Sequence, residues 1–208
     1  TQPWFLAVNF VNPHDVMFFD SDGAETVQAN SMFPIFDAPD APLYQQKWQT
    51  ALPGSFPDDL DGQPPAVRSY AELCDVYYGP IPMDRRDMWH NHVNYYLNCL
   101  LDVDRHIGAV LDALEASGLA DDTISVFTAD HGEMGGAHHL RQKGSVAFRE
   151  NLNVPLVIVD PRHPGSARTD AVGSHLDLVP TILAYAGLPE SELQERYPSL
   201  KGHDLSGI

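Results

Sequence analysis

The residues that could do chemistry fall in three short stretches. Asp130-His131-Gly132-Glu133 sets a carboxylate beside an imidazole. Such a pair can face one divalent ion, the carboxylate supplying hard oxygen and the neutral ring supplying nitrogen. Downstream runs Gly135-Gly136-Ala137-His138-His139-Leu140-Arg141-Gln142-Lys143-Gly144, a glycine- and histidine-rich stretch whose lysine stands twelve positions after His131. An ammonium close to a metal can hold a tetrahedral oxyanion, because it neutralises charge growing on the departing or nonbridging oxygens. Near the start, His14 and Asp15 follow Asn12-Pro13. Each residue also has a plainer role. Asp130 could cap the next turn, His131 and one of His138 and His139 could be loop residues, His14 a turn residue, and Lys143 a solvated surface lysine.

The elements around these stretches must bring them together if they act together. Residues 4–11 form a nearly continuous apolar run, the pattern of a strand buried on both faces of a parallel sheet, and His14 and Asp15 fall just past its end. Residues 123–129, β-branched and apolar, predict a second strand ending in Asp130-His131-Gly132, and residues 154–159 predict a third. Ligands collect at the carboxyl ends of strands in open α/β sheets, and two of these strands end in residues able to coordinate. Gly132 is expected to let the backbone turn sharply away after His131. The three-and-four spacing of Tyr96, Cys99, Leu100, Val103, Ile107, Val110, Leu111 and Leu114 predicts one amphipathic helix over 84–116, stopped by Gly118. A later helix is expected over 177–186, closed by Gly187. Strands alternating with helices imply an α/β fold with a mostly parallel sheet flanked by helices. Residues 18–82 carry Pro34, Pro39, Pro42, Pro53, Pro57, Pro64 and Pro65 without clear periodicity, and read as a long ordered excursion that shapes a pocket rather than a core.

Composition narrows the partners. With 208 residues, 43% of them hydrophobic, the chain can bury the core of one domain or of a large part of one. Twelve Lys and Arg against 29 Asp and Glu give a formal charge of -17, which excludes a nucleic-acid partner held by phosphate neutralisation. A small anionic substrate would have to be drawn by a local cation or metal against that field. No apolar stretch is long enough to span a membrane, and no membrane partner is expected. Thr1-Gln2-Pro3 leads at once into the apolar run, so the compartment stays open between the cytoplasm and an exported location. Cys74 and Cys99 sit in no metal-knuckle spacing and make no disulfide framework.

Phe127-Thr128-Ala129-Asp130-His131-Gly132-Glu133-Met134-Gly135-Gly136, then Lys143-Gly144, then Asn153-Val154-Pro155-Leu156-Val157-Ile158, resembles the second signature region of the sulfatases of the alkaline phosphatase superfamily. Three further pieces agree in order. Phe10-Val11-Asn12-Pro13-His14-Asp15 is similar to the family's histidine-bearing strand end, His175-Leu176-Asp177-Leu178-Val179-Pro180-Thr181-Ile182-Leu183 to its late helix, and Leu200-Lys201-Gly202-His203-Asp204-Leu205 to the segment after it. The resemblance implies that residues 1–208 are the C-terminal part of a sulfatase-type catalytic domain, a partial alkaline-phosphatase-like sandwich. The N-terminal half that bears the nucleophile, and a C-terminal subdomain, would lie outside it.

By the same resemblance, Asp130 and His131 are metal ligands, His14 contacts the sulfuryl group or the leaving oxygen, and Lys143 binds the anion, with His138 counted among the substrate-binding residues. The metal would be calcium by family habit, or manganese because His131 stands where many sulfatases have asparagine and nitrogen favours a transition metal. The nucleophile would be formylglycine in a Cys/Ser-x-Pro-x-Arg segment, which neither Cys74 nor Cys99 matches. The expectation is therefore arylsulfatase-type hydrolysis of a small anionic ester by the full-length parent, this piece being inactive alone, with the N-terminal half as a partner if it is a separate chain. Two alternatives stay open: a phosphonate monoester or phosphodiester hydrolase of the same superfamily, and a non-catalytic binding or structural module.

Overall fold

Residues 3–22 and 33–208 are described in a computed structural model; Thr1, Gln2 and positions 23–32 of the proline-rich excursion lie outside the described residues. Contacts divide the chain into two units, Thr1–Val159 and Asp160–Ile208.

The β-branched residues that predicted strands form one ladder. β1 (Ser125–Thr128) pairs with β2 (Leu156–Val159), Ser125 opposite Val159 and Thr128 opposite Leu156. The pairing is antiparallel, against the expected parallel arrangement. Residues 129–155 hold tight loops and the single-turn helix α3 (Arg149–Leu152) rather than a crossover helix, and a chain that returns without a crossover re-enters antiparallel.

The run at 4–11 differs too. It is exposed at every position and carries no ladder, because among the described residues no strand lies beside it to take its N–H and C=O groups. Apolar sequence favours burial, but a strand also needs a neighbour.

α1 (Pro65–Tyr78) rises inside the excursion, where no helix was expected. Pro64 and Pro65 read as loop residues, yet proline in the first turn costs no hydrogen bond and presets the helical φ. Val67, Tyr70 and Ala71 on its inner face pack with Phe148 against a core of Leu60, Met134, Ala137, Leu140 and Val146. A second cluster joins Phe56 and Ile81 to Met88 and Trp89. The excursion thus contributes core as well as surface. Phe56 and Met134, each 1% exposed, contribute roughly 1.5–3 kcal/mol apiece by leaving water.

α2 (Arg86–Ala116) follows the expected helix closely and is closed by Ser117 and by Gly118 at φ 70. Its first half buries Met88, Trp89, His92, Asn94, Asn98 and Cys99, whereas Val110 and Leu111 in its second half are exposed.

In the unit Asp160–Ile208, Ser174 and Asp177 form a capping box ahead of α4 (Leu178–Tyr185), and Gly187 (φ 90) stands just past its end. The Asp177 carboxylate also accepts the His203 amide at 2.6 Å, and Thr181 Oγ1 accepts the Leu205 amide at 2.9 Å. These bonds tie residues 203–205 to α4 and hold the Asp177 carboxyl below its usual proton affinity, the His203 amide being the largest cause. α5 (Glu190–Arg196) completes this unit.

Candidate active site

The site is assembled where β1 ends. Thr128 Oγ1 donates to the Pro155 carbonyl at 2.8 Å, closing the strand pair at that end. Asp130 and His131 then leave the strand together. The His131 amide donates to Asp130 Oδ1 at 3.0 Å, and His131 Nε2 lies 3.4 Å from Asp130 Oδ2. His131 Nδ1 sits 2.8 Å from the Gly132 carbonyl, which fixes the ring with its Nε2 edge towards the Asp130 carboxylate.

Gly132 serves another purpose than the one expected, for its φ is not positive. Its amide donates to the Asn151 carbonyl at 2.9 Å, and a Cβ there would overlap the Glu150 carbonyl. Close approach to α3, not a left-handed turn, is what demands glycine.

His14 is held from α2. Asn12 Nδ2 donates to the Cys99 carbonyl at 3.3 Å and to the Tyr44 hydroxyl at 3.2 Å, and Val16 and Met17 bury the turn that follows. His14 Nδ1 and Asp15 Oδ1 are 2.8 Å apart on the surface. Lys143 Nζ donates to the His14 carbonyl at 2.5 Å, which brings two of the expected site residues into contact across most of the chain. Burial lowers the proton affinity of the Lys143 amine below the ordinary lysine value, while the charges of Glu133, Asp15 and Asp130 oppose that shift. The loops bearing His14 and Lys143 therefore meet.

His138 is placed differently. Its Nδ1 is 2.6 Å from Asp58 Oδ2, its amide donates to the Ser55 carbonyl, and its ring stacks on Phe148 at 4.0 Å. No hydrogen bond or ion pair among the described residues joins it to Asp130, His131 or Lys143. The Asp58 carboxyl is held below its usual range by the Leu60 amide first and by His138 second.

Sequence reasoning gave no role of its own to Glu133. Its partly buried carboxylate accepts the Gln142 amide, and burial pushes its carboxyl up in pKa. Only its place within the Asp130-His131-Gly132-Glu133 stretch could have drawn notice.

His92 and Arg141 were also missed. Arg141 is buried, donates to the Gly79 carbonyl through Nη2, and lies over the Tyr78 ring at 5.9 Å, while its Nη1 has no partner among the described residues. His92 is wholly buried with neither ring nitrogen partnered among them; burial, then the Arg141 charge, pull its pKa down to about 3.

As a metal site, Asp130 and His131 offer one oxygen and one nitrogen donor, types that suit a divalent ion. Two donors fill part of a shell of at least about four. Among the described residues no three His, Cys, Asp or Glu side chains gather into a metal-holding group. Neither cysteine supplies a nucleophile, since both thiols are buried and burial raises their pKa values, that of Cys99 to about 11. No helix among the described residues is long and apolar enough to cross a membrane.

A family model described as Sulfatase matches residues 1–188. An uncharacterized sulfatase from Escherichia coli (strain K12) is 34% identical over 137 residues, 65% of this chain and 26% of its own length. Among solved structures, the phosphonate monoester hydrolase of Agrobacterium radiobacter superposes with a TM-score of 0.54 at 30% identity, over 68% of this chain and 28% of that one. A 2-O GAG sulfatase superposes with a TM-score of 0.62 at 20% identity, over 94% of this chain and 39% of that one, and shows the shared fold. The chain spans about a third or less of the length of the curated relatives it matches. With its family match running from the exposed apolar start through α4, the chain belongs to the sulfatase family.

Proposed function

We propose that the protein containing this chain is a metal-dependent hydrolase of sulfuric esters, of the arylsulfatase type. The observation that carries this reading is the donation from the Lys143 ammonium to the His14 carbonyl, with the Asp130 charge within reach of the same amine. Lys143 thus sits beside the turn that bears His14, and Asp130 and His131 stand side by side at the strand end, residue types that suit one tetrahedral anion and one metal.

Asp130 and His131 would hold the divalent metal, calcium by family habit or manganese by the nitrogen donor, and once bound it would polarise the ester oxygens. Lys143 would take a nonbridging oxygen of the ester. Its held, partly desolvated ammonium is a stronger partner for an anion than a free surface lysine. His14 would face the leaving oxygen, and His138, braced by Asp58, would border the substrate. The local cations would draw a small anionic ester against the net charge of -17.

With both cysteines buried, the nucleophile is assigned outside residues 1–208, as formylglycine, and these residues alone are expected to be inactive. The exposed apolar surfaces at 4–11, on β1 and β2, and on the second half of α2 suit docking of that nucleophile-bearing part, in the same chain or in a separate one.

A second reading, phosphonate monoester or phosphodiester hydrolysis, is favoured by the 30% identity to the phosphonate monoester hydrolase and by the nitrogen of His131. Turnover of an aryl sulfate against an aryl phosphonate and an aryl phosphodiester by the metal-loaded full-length protein decides between them. A ratio strongly favouring sulfur is expected. One strongly favouring phosphorus retires the sulfatase reading, and no turnover of any of the three leaves a non-catalytic module.

A further inference from the structure

We propose that Glu133 is the positioning residue of the anion-binding lysine: its carboxylate ties the end of the glycine-rich loop to its beginning and so fixes Lys143 beside His14. The proposal rests on the role given above to Lys143. Residues 133–142 close on themselves. The Met134 amide donates to the Gln142 carbonyl at 3.3 Å, the Gly136 amide to the Leu140 carbonyl at 2.8 Å, and the Gln142 amide to the Glu133 carboxylate. Gly135, Gly136, His138, His139, Gln142 and Gly144 all have positive φ, so the loop cannot continue the ladder of β1 and needs side-chain acceptors to hold its shape.

Gln142 is the critical position. At φ 74 it occupies a left-handed conformation that disfavours a residue with a Cβ, and it persists only where its surroundings hold it there. The Glu133 carboxylate does so at the amide. The next residue is Lys143, whose stem takes its direction from the Gln142 peptide. On the far side, Asn151 Nδ2 donates to the Lys143 carbonyl and, at 3.0 Å, to the Val146 carbonyl. Both flanks of the lysine are therefore held, and the hold from Glu133 starts two residues after His131. It couples the Asp130-His131 pair to the lysine.

The charge of Glu133 also acts on the Lys143 amine, but its direct hold is on the backbone and not an ion pair. The Lys143 ammonium is directed to the His14 carbonyl, and no salt bridge among the described residues joins it to Glu133.

The test uses the full-length protein. Glu133→Gln keeps an acceptor oxygen at the same reach, Glu133→Asp withdraws the carboxylate by one methylene, and Glu133→Ala removes the acceptor. Acetylation by an N-hydroxysuccinimide ester, read by peptide mass spectrometry as the ratio of Lys143 to the exposed Lys47, reports how firmly the lysine is held without any substrate. Steady-state kinetics with an aryl sulfate and an aryl phosphonate report kcat and KM. Glu133→Gln should stay within about twofold of wild type by both measures, whereas Glu133→Asp and Glu133→Ala should raise the labelling ratio several-fold and lower kcat/KM about 10- to 100-fold, partly through KM.

A merely structural role would lower the active fraction and leave KM and the labelling ratio unchanged, which overturns the proposal. So does damage in Glu133→Gln equal to that in Glu133→Ala, because the charge and not the tie would then matter. If Glu133→Ala does not fold, the Gln and Asp variants decide, and equal behaviour of the two counts against the tie. Should the wild type hydrolyse neither ester, the proposed function fails while the labelling ratio still decides the role of Glu133.

Discussion

Two neighbouring regions of the unit Thr1–Val159 are built in opposite ways. β1 and β2 have regular backbone bonds and an apolar sequence, yet Val126, Phe127, Leu156, Val157 and Val159 are exposed. The loop from Gly132 to Asn153 has little repeating structure, left-handed residues and many polar side chains, yet Met134, Ala137, Leu140, Arg141, Val146 and Asn151 are buried. Regular hydrogen bonding and burial therefore come from different sources. The ladder satisfies its own backbone and leaves its side chains for another surface, whereas the loop is packed by α1 and residues 53–60 and satisfies its backbone through Glu133, which accepts the Gln142 amide, and Asn151, which donates to the Lys143 and Val146 carbonyls.

That contrast can be broken most sharply in the core of the loop. Met134→Ala should destabilise the chain by about 2–5 kcal/mol, read from denaturant midpoints; a loss below about 1 kcal/mol would mean the loop is not packed as described. The meeting of loop and strand end is tested next. Lys143→Ala in the full-length protein should lower kcat for an aryl sulfate by about 10²–10³-fold, as loss of one oxyanion donor does elsewhere, and unchanged kinetics would remove the lysine from the site.

Added divalent metal should raise thermal stability by mass action, about 2.7 kcal/mol at a hundredfold excess over Kd, and Asp130→Ala should erase that gain. A variant that kept the gain would place the metal elsewhere.

A pH-dependent effect comes from His92. Its folded pKa of about 3 lies below the ordinary 6.5, so the unfolded chain takes up the proton first as pH falls. The stability tied to the neutral ring is complete above pH 6.5 and is lost progressively as pH falls from 6.5 towards 3. In a stability profile over that window His92→Leu should be flatter than wild type, and an identical slope would refute the burial argument. The smallest effect belongs to the ladder: Val157→Thr should change the stability of residues 1–208 by less than about 0.5 kcal/mol, as exposed positions do. A larger loss in the full-length protein would show that this face is covered there.

Much of this was legible in the residues. α2 and its glycine stop, the helix before Gly187, and the place of Asp130 and His131 at a strand end follow from periodicity and from glycine chemistry. α1 was hidden because Pro64 and Pro65 look the same at the start of a helix as in a loop. The strand predicted at 4–11 failed because apolarity reports a preference for burial, not the presence of a neighbour. Within the candidate site, His14 and Lys143 do meet, but their contact passes through the His14 carbonyl, a group every residue carries.

By itself, the sequence determined which local segments could be helical or extended, where glycines had to end them, and which side chains are of types able to bind a metal or an anion, because these depend on residue chemistry and on neighbours within a few positions. The tertiary structure alone decided that β1 and β2 run antiparallel, that Asp58 claims His138, that Glu133 closes the loop, and that Lys143 reaches His14. Those outcomes depend on contacts between residues far apart in the chain, whose energies exist only once packing has brought them within a few ångströms.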